Sequence, residues 1–103
     1  MAEKKTITLD LTDCKYLLEL HERIRVAFDF PEWYGANWSA FWDLLWSECT
    51  ADEVIIIGES TMSDEFKNQL KTKHKILDRL VAKRLEDSRA YDDITPFSYR
   101  IEN

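Results

Sequence analysis

Phe30-Pro31-Glu32-Trp33-Tyr34-Gly35-Ala36-Asn37-Trp38-Ser39-Ala40-Phe41-Trp42-Asp43-Leu44-Leu45-Trp46 is the stretch on which the fold and the surface of this chain turn. Pro31 disfavours helical backbone at Phe30 and so ends any helix before it. Glu32 to Ala36 then reads as a turn, with Gly35 the natural residue for a positive φ because it has no Cβ to clash. Asn37 stands where a side-chain oxygen caps a helix, and that helix runs to about Cys49. At 100° per residue, Trp38, Phe41, Trp42, Leu45 and Cys49 gather on one face, expected to pack on a sheet. Ser39, Asp43 and Ser47 form the adjoining flank, with Trp42 and Trp46 near the border. A small core has little need for Trp33, Tyr34, Trp38, Trp42 and Trp46 within fourteen positions. Rings crowded beside a carboxylate are the composition of a binding hot spot. Asp43 is therefore expected in a partly desolvated setting, where a cation attracts it more strongly than in open water. Glu32 has a competing task, accepting hydrogen bonds from the N–H groups that open the helix.

Outward from this stretch the chain alternates strands and helices. Thr6-Ile7-Thr8-Leu9 is polar–apolar and β-branched, which suits a strand. Thr12 or Asp13 is placed to cap the next helix, whose stripe is Leu17, Leu18, Leu20, His21, Ile24, Val26, Ala27 and Phe28. Glu53-Val54-Ile55-Ile56-Ile57 is an unbroken β-branched run, the pattern of a strand buried on both faces. Ser63 to Gln69 and Ile76 to Leu85 read as helices, with Lys71 to Lys75 a basic junction between them. Phe97-Ser98-Tyr99-Arg100-Ile101 alternates as a closing strand. Helices between strands imply crossovers and an α/β fold: a small three-stranded parallel sheet covered by helices. No repeat, linker or low-complexity tract divides residues 1–103, so a single domain is expected.

Composition narrows the function. Twenty acids against fourteen bases give a formal charge of −6, which argues against direct binding of nucleic acid and for a basic partner drawn in by long-range attraction. The start of the chain is charged with no apolar signal core, and no apolar run is long enough to span a bilayer, so a cytoplasmic protein without membrane contact is expected. Cys14 and Cys49 are far apart and lack metal spacing; both read as buried thiols. His21 lies in an apolar-patterned helix and reads as structural. His74 sits among lysines and reads as solvated, like the Lys71, Lys73, Lys75 run. No metal and no cofactor are expected.

The match of Pro31, Glu32, Tyr34, Gly35, Asn37, Ala40, Trp42 and Asp43, in register and without a gap, resembles the signature of the barstar family, intracellular inhibitors of ribonucleases of the barnase type. Asp93-Ile94-Thr95 is similar to that family's entry to its last strand. The resemblance implies inhibition by mimicry: the acid at Asp43 enters the nuclease's catalytic pocket in place of a phosphate, the ring at Trp33 covers the catalytic histidine, and Trp42 packs at the same surface. Ser39, Tyr34, Gly35, Asn37 and Trp46 are expected on the same partner-binding surface, and the family implies a further acid from the last helix, for which Glu86 is the nearest candidate. Ser39 departs from the pattern, since the family commonly has a second aspartate there. Ala36 and Trp33 depart too, replacing a glutamate and a tyrosine.

Three functions compete. The first is inhibition of a basic ribonuclease, barnase-like or a toxin domain, by a protein that is a monomer when free; in the toxin case the chain is an immunity protein. The second is a regulatory interaction module that keeps the fold with a target other than a ribonuclease, which Ser39 favours. The third, an enzyme using Asp43 and Glu32 as an acid–base pair, lacks any accompanying nucleophile, metal cluster or phosphate loop.

Overall fold

The structure, a computed structural model, describes residues 5–48, 51–92 and 94–102. Strand β1 (Thr6–Asp10) leads to helix α1 (Leu17–Phe28), then α2 (Trp38–Glu48), β2 (Glu53–Ile57), two short 3-10 turns (Glu59–Thr61 and Asp64–Phe66), α3 (Lys67–Ala90) and β3 (Ser98–Glu102). The sheet has the order β1-β2-β3 and both pairings are parallel. Ile7, Val54 and Tyr99 lie side by side across it, as do Leu9, Ile56 and Ile101.

Leu9, Val54 and Ile56 from the sheet join Leu20 and Ile24 of α1, Phe41 and Leu45 of α2, and Leu77 and Leu80 of α3 in one buried cluster. Each such side chain contributes about 1.5–3 kcal/mol by leaving water. That cluster draws on one face of the sheet only. On the other face Thr8 and Arg100 are exposed and Ile55 and Ile57 half-buried, so the β-branched run of β2 is not buried on both faces as its pattern suggested. The edge strands explain this, because each alternates polar with apolar residues and has a single face to bury.

Neither Thr12 nor Asp13 caps α1. Tyr16 holds the cap position without a side-chain bond. Thr12 instead donates its N–H to Asp10 at 2.9 Å. Asp13 takes left-handed backbone (φ 58°) with its N–H on Thr61 at 2.8 Å. Asp29, also left-handed, closes the far end of α1, and the N–H of Phe30 reaches back to the Arg25 carbonyl at 2.9 Å.

α3 is one continuous helix of 24 residues through Lys71–Lys75, with a 3-10 turn at Asp64–Phe66 where a separate helix was expected. Lys73 is not solvated: its side chain is 0% exposed, with Nζ 2.6 Å from Glu59. Lys73, Ile76, Leu77 and Leu80 make one buried helical stripe, so the ammonium stem continues the core face. His74, expected to be solvated, also bonds Glu59, at 3.1 Å. Burial pushes the Glu59 carboxyl up, but the bonds from His74 and Lys73 outweigh it and hold the group below its ordinary value. Burial draws the Lys73 ammonium down in spite of Glu59. These shifts pull in opposite senses; the 2.6 Å contact and the second donor from His74 favour a charged pair at neutral pH.

Arg84 ties α3 to the approach of β3, donating to the Thr95 carbonyl at 2.8 Å and to Asp52 at 3.0 Å. Cys14 is a buried free thiol. Cys49 and Asp93 lie outside the described residues. Among the described residues no helix is long and apolar enough to cross a membrane.

Candidate protein-binding site

The turn between α1 and α2 is held from beneath by aromatic packing. Phe30 stacks on Phe28 at 5.2 Å and lies against Tyr34 and Phe41. Tyr34 is buried, and its hydroxyl stands 2.7 Å from Nδ1 of His21. The His21 ring in turn lies 4.5 Å from that of Trp38. Burial lowers the affinity of the His21 imidazole for a proton and pushes the Tyr34 phenol up, so a neutral ring and an un-ionised hydroxyl satisfy one another. Tyr34 thus braces the turn from inside. His21 is structural, as its apolar surroundings in the sequence suggested.

Positive φ falls on Ala36 (52°) and not on Gly35, a correction to the sequence reading. What Gly35 supplies is room. A Cβ there would sit 3.1 Å from Asn37 Nδ2 and 3.3 Å from the Ala40 methyl. Asn37 then caps α2 as expected: its Oδ1 accepts from the Ala40 N–H at 2.8 Å, and its amide donates to the Gly35 carbonyl at 3.0 Å. Glu32, the competing acceptor, is exposed.

The cap fixes the rotation of α2. Phe41, Leu44 and Leu45 are buried, and half-buried Trp38 donates Nε1 to Gln69 of α3 at 2.7 Å. Ser39, Asp43 and Ser47 form the exposed flank. The Asp43 carboxylate makes no hydrogen bond or ion pair among the described residues, while its main-chain carbonyl accepts the Ser47 hydroxyl at 2.7 Å. It is more open to water than the expected desolvated setting. Trp42 and Trp46 stack with centroids 6.4 Å apart, and Trp46 is 50% exposed. Trp33, on the turn, is 73% exposed. Such rings lose much apolar area to water in the free protein and regain it on docking.

Two residues of this face escaped the sequence reading. The Arg79 guanidinium lies 4.2 Å from the centre of the Trp42 ring, and the Lys83 ammonium 4.5 Å from that of Trp46. Their i, i+4 spacing was the available signal, but it gains meaning only once α2 and α3 are seen side by side. Glu86 is exposed and continues the same row of α3, about 10 Å along the axis from Arg79. The residue of α3 beside Trp42 is therefore a cation.

α2 is thus a capped, well-packed helix that carries an exposed carboxylate next to the half-buried Trp42 and the exposed Trp46. Among the described residues no group of His, Cys, Asp or Glu is arranged to hold a metal ion. The chain belongs to the Barstar (barnase inhibitor) family, whose model matches residues 4–96. Members of that family bind ribonucleases and are inhibitors, not enzymes. A search of curated protein sequences returned no significant match.

Proposed function

We propose that this protein inhibits a basic ribonuclease of the barnase type by setting Asp43 into its catalytic cleft where an RNA phosphate would lie. The observation that carries this is the state of Asp43: exposed, on a helix fixed by its cap and core, with no cation of its own among the described residues. A nuclease must hold fixed cations ready for phosphate, and a rigid carboxylate engages them without offering a bond to cleave. Trp33 covers the side of the cleft next to that anion, and Trp42 and Trp46 extend the contact. Tyr34, Gly35 and Asn37 act by holding the turn in shape. Ser39 removes one negative charge from the flank and so narrows the range of clefts the face fits. The protein acts as a single-domain monomer in the cytoplasm, guarding the cell against its own secreted nuclease or as the immunity partner of a delivered toxin. The acidic charge of the chain speeds encounter with a basic enzyme.

The test is RNA cleavage by purified barnase-type ribonucleases, with and without the protein. Asp43→Ala is expected to weaken inhibition by at least about 30-fold, the ~2 kcal/mol threshold of a central contact, with an unchanged melting temperature. Equal inhibition by the variant rules out the assigned site. A wild-type protein that inhibits none of the enzymes, yet recovers partners of another kind from its host, supports the interaction-module alternative.

A further inference from the structure

The cations of α3 deepen this proposal and rest on it. Arg79 makes no ion pair or hydrogen bond among the described residues; its guanidinium lies over the face of Trp42. Lys83 lies over Trp46 and has Asp87 at 3.7 Å, a loose and partly exposed pair. The two indoles stack with 21° between their planes, so the two cations form a short ridge along a common aromatic platform. Trp42 and Asp43 are consecutive in α2, so their side chains leave the helix about 100° apart, and the ridge and the anion occupy adjoining sides of it.

A guanidinium resting on a ring face keeps its N–H edge for another acceptor, and planar pairing with a carboxylate is what that edge fits best. The face is therefore bipolar: Asp43 on the exposed flank, two cations on the indole platform next to it. A ribonuclease whose positive field continued unbroken past its phosphate site would attract the first and repel the second. Like charges brought together at an interface are a strong barrier to the wrong partner.

We infer that Arg79 and Lys83 are specificity determinants: the target ribonuclease presents one or more carboxylates on the rim of its RNA cleft, opposite this ridge, and the cation pair selects enzymes that have them. This also explains how the protein keeps a fixed orientation with a single acid on the flank, since Ser39 supplies no second anchor. An anion at one point and cations at another define a register that Asp43 alone does not.

The experiment uses the full chain and the ribonuclease that wild type inhibits most tightly in a panel of barnase-type enzymes. Association is followed by stopped-flow indole fluorescence across a range of ionic strength. Arg79→Glu combined with Lys83→Glu is expected to slow association about tenfold at low salt, and the double Gln variant a few-fold, with both differences shrinking as salt rises. Exchange of the two cations, Arg79→Lys with Lys83→Arg, retains most of the wild-type rate. A ridge that only shields the indoles would change melting temperature without this salt-dependent order of rates. The inference is overturned if charge reversal leaves association unchanged or speeds it while Asp43→Asn still abolishes inhibition. If wild type inhibits no enzyme of the panel, the ribonuclease proposal itself fails and the ridge falls with it.

Discussion

Replacing Lys73 by Met tests how the core is held together. The ammonium is fully enclosed, 2.6 Å from a Glu59 carboxylate that is only 9% exposed, and Met fills a similar volume without the charge. The loss is therefore of pairing, not of packing. Removing one member of a buried ion pair costs about 3–5 kcal/mol, because the remaining charge is left in a poorly solvated site. His74 still reaches Glu59 at 3.1 Å, which places the expected cost at the lower end, about 3 kcal/mol. For a chain of this size that lowers the melting temperature by roughly 12–24 °C.

The pH dependence of that deficit supplies a second, independent check. The Glu59 carboxyl is held below its ordinary value in the folded protein. The unfolded chain therefore binds the extra proton first, and the group's stabilisation is present above about pH 4.3 and is lost as pH falls through the folded value. In Lys73→Met the carboxyl is no longer held down by the ammonium, so it protonates earlier and the buried charge disappears. The gap between wild type and variant should thus close in acid. Combining Lys73→Met with Glu59→Gln should recover most of the loss, since no uncompensated charge remains. Urea unfolding from pH 3 to 8 for the three variants decides the matter. A single-variant loss under about 1 kcal/mol, the value typical of an exposed pair, or a gap that persists unchanged at pH 3, would refute the reasoning.

The turn and the site give two further expectations. Trp33→Ala removes a ring that is 73% exposed, so stability by urea unfolding should change by less than about 0.5 kcal/mol while inhibition weakens at least about 30-fold. Equal inhibition by this variant would remove Trp33 from the contact. Gly58→Ala places a Cβ against the Thr12 backbone at a φ of 82°, and should destabilise the fold by at least about 2 kcal/mol; a melting temperature equal to wild type would show that the loop relaxes freely.

The sequence was most legible where backbone chemistry is local. Pro31 and the Asn37 cap located both ends of the turn, because each acts on its immediate neighbours through φ restriction or a side-chain bond three residues away. The helical wheel correctly placed Ser39 and Asp43 outside and Phe41 and Leu45 inside for the same reason. What remained hidden depends on partners distant in the chain. Lys71-Thr72-Lys73-His74-Lys75 reads as a solvated junction until Glu59, fourteen positions before Lys73, closes over it. The cations above Trp42 and Trp46 come from α3, across a helix–helix contact that no local pattern encodes. The left-handed residue of the turn is Ala36 and not the adjacent glycine, whose role is to leave room beside Asn37 and Ala40, a closeness that residue-type preference alone does not reveal.

Occupation of the RNA cleft by this protein makes a kinetic demand, that inhibitor and substrate compete for the free enzyme. Steady-state cleavage of a short RNA by the inhibited ribonuclease, at several concentrations of this protein, should show the apparent KM rising with kcat unchanged, because substrate and inhibitor exclude one another from one cleft. A fall in kcat at saturating RNA with KM unchanged would place the protein elsewhere on the enzyme and contradict the role assigned to Asp43.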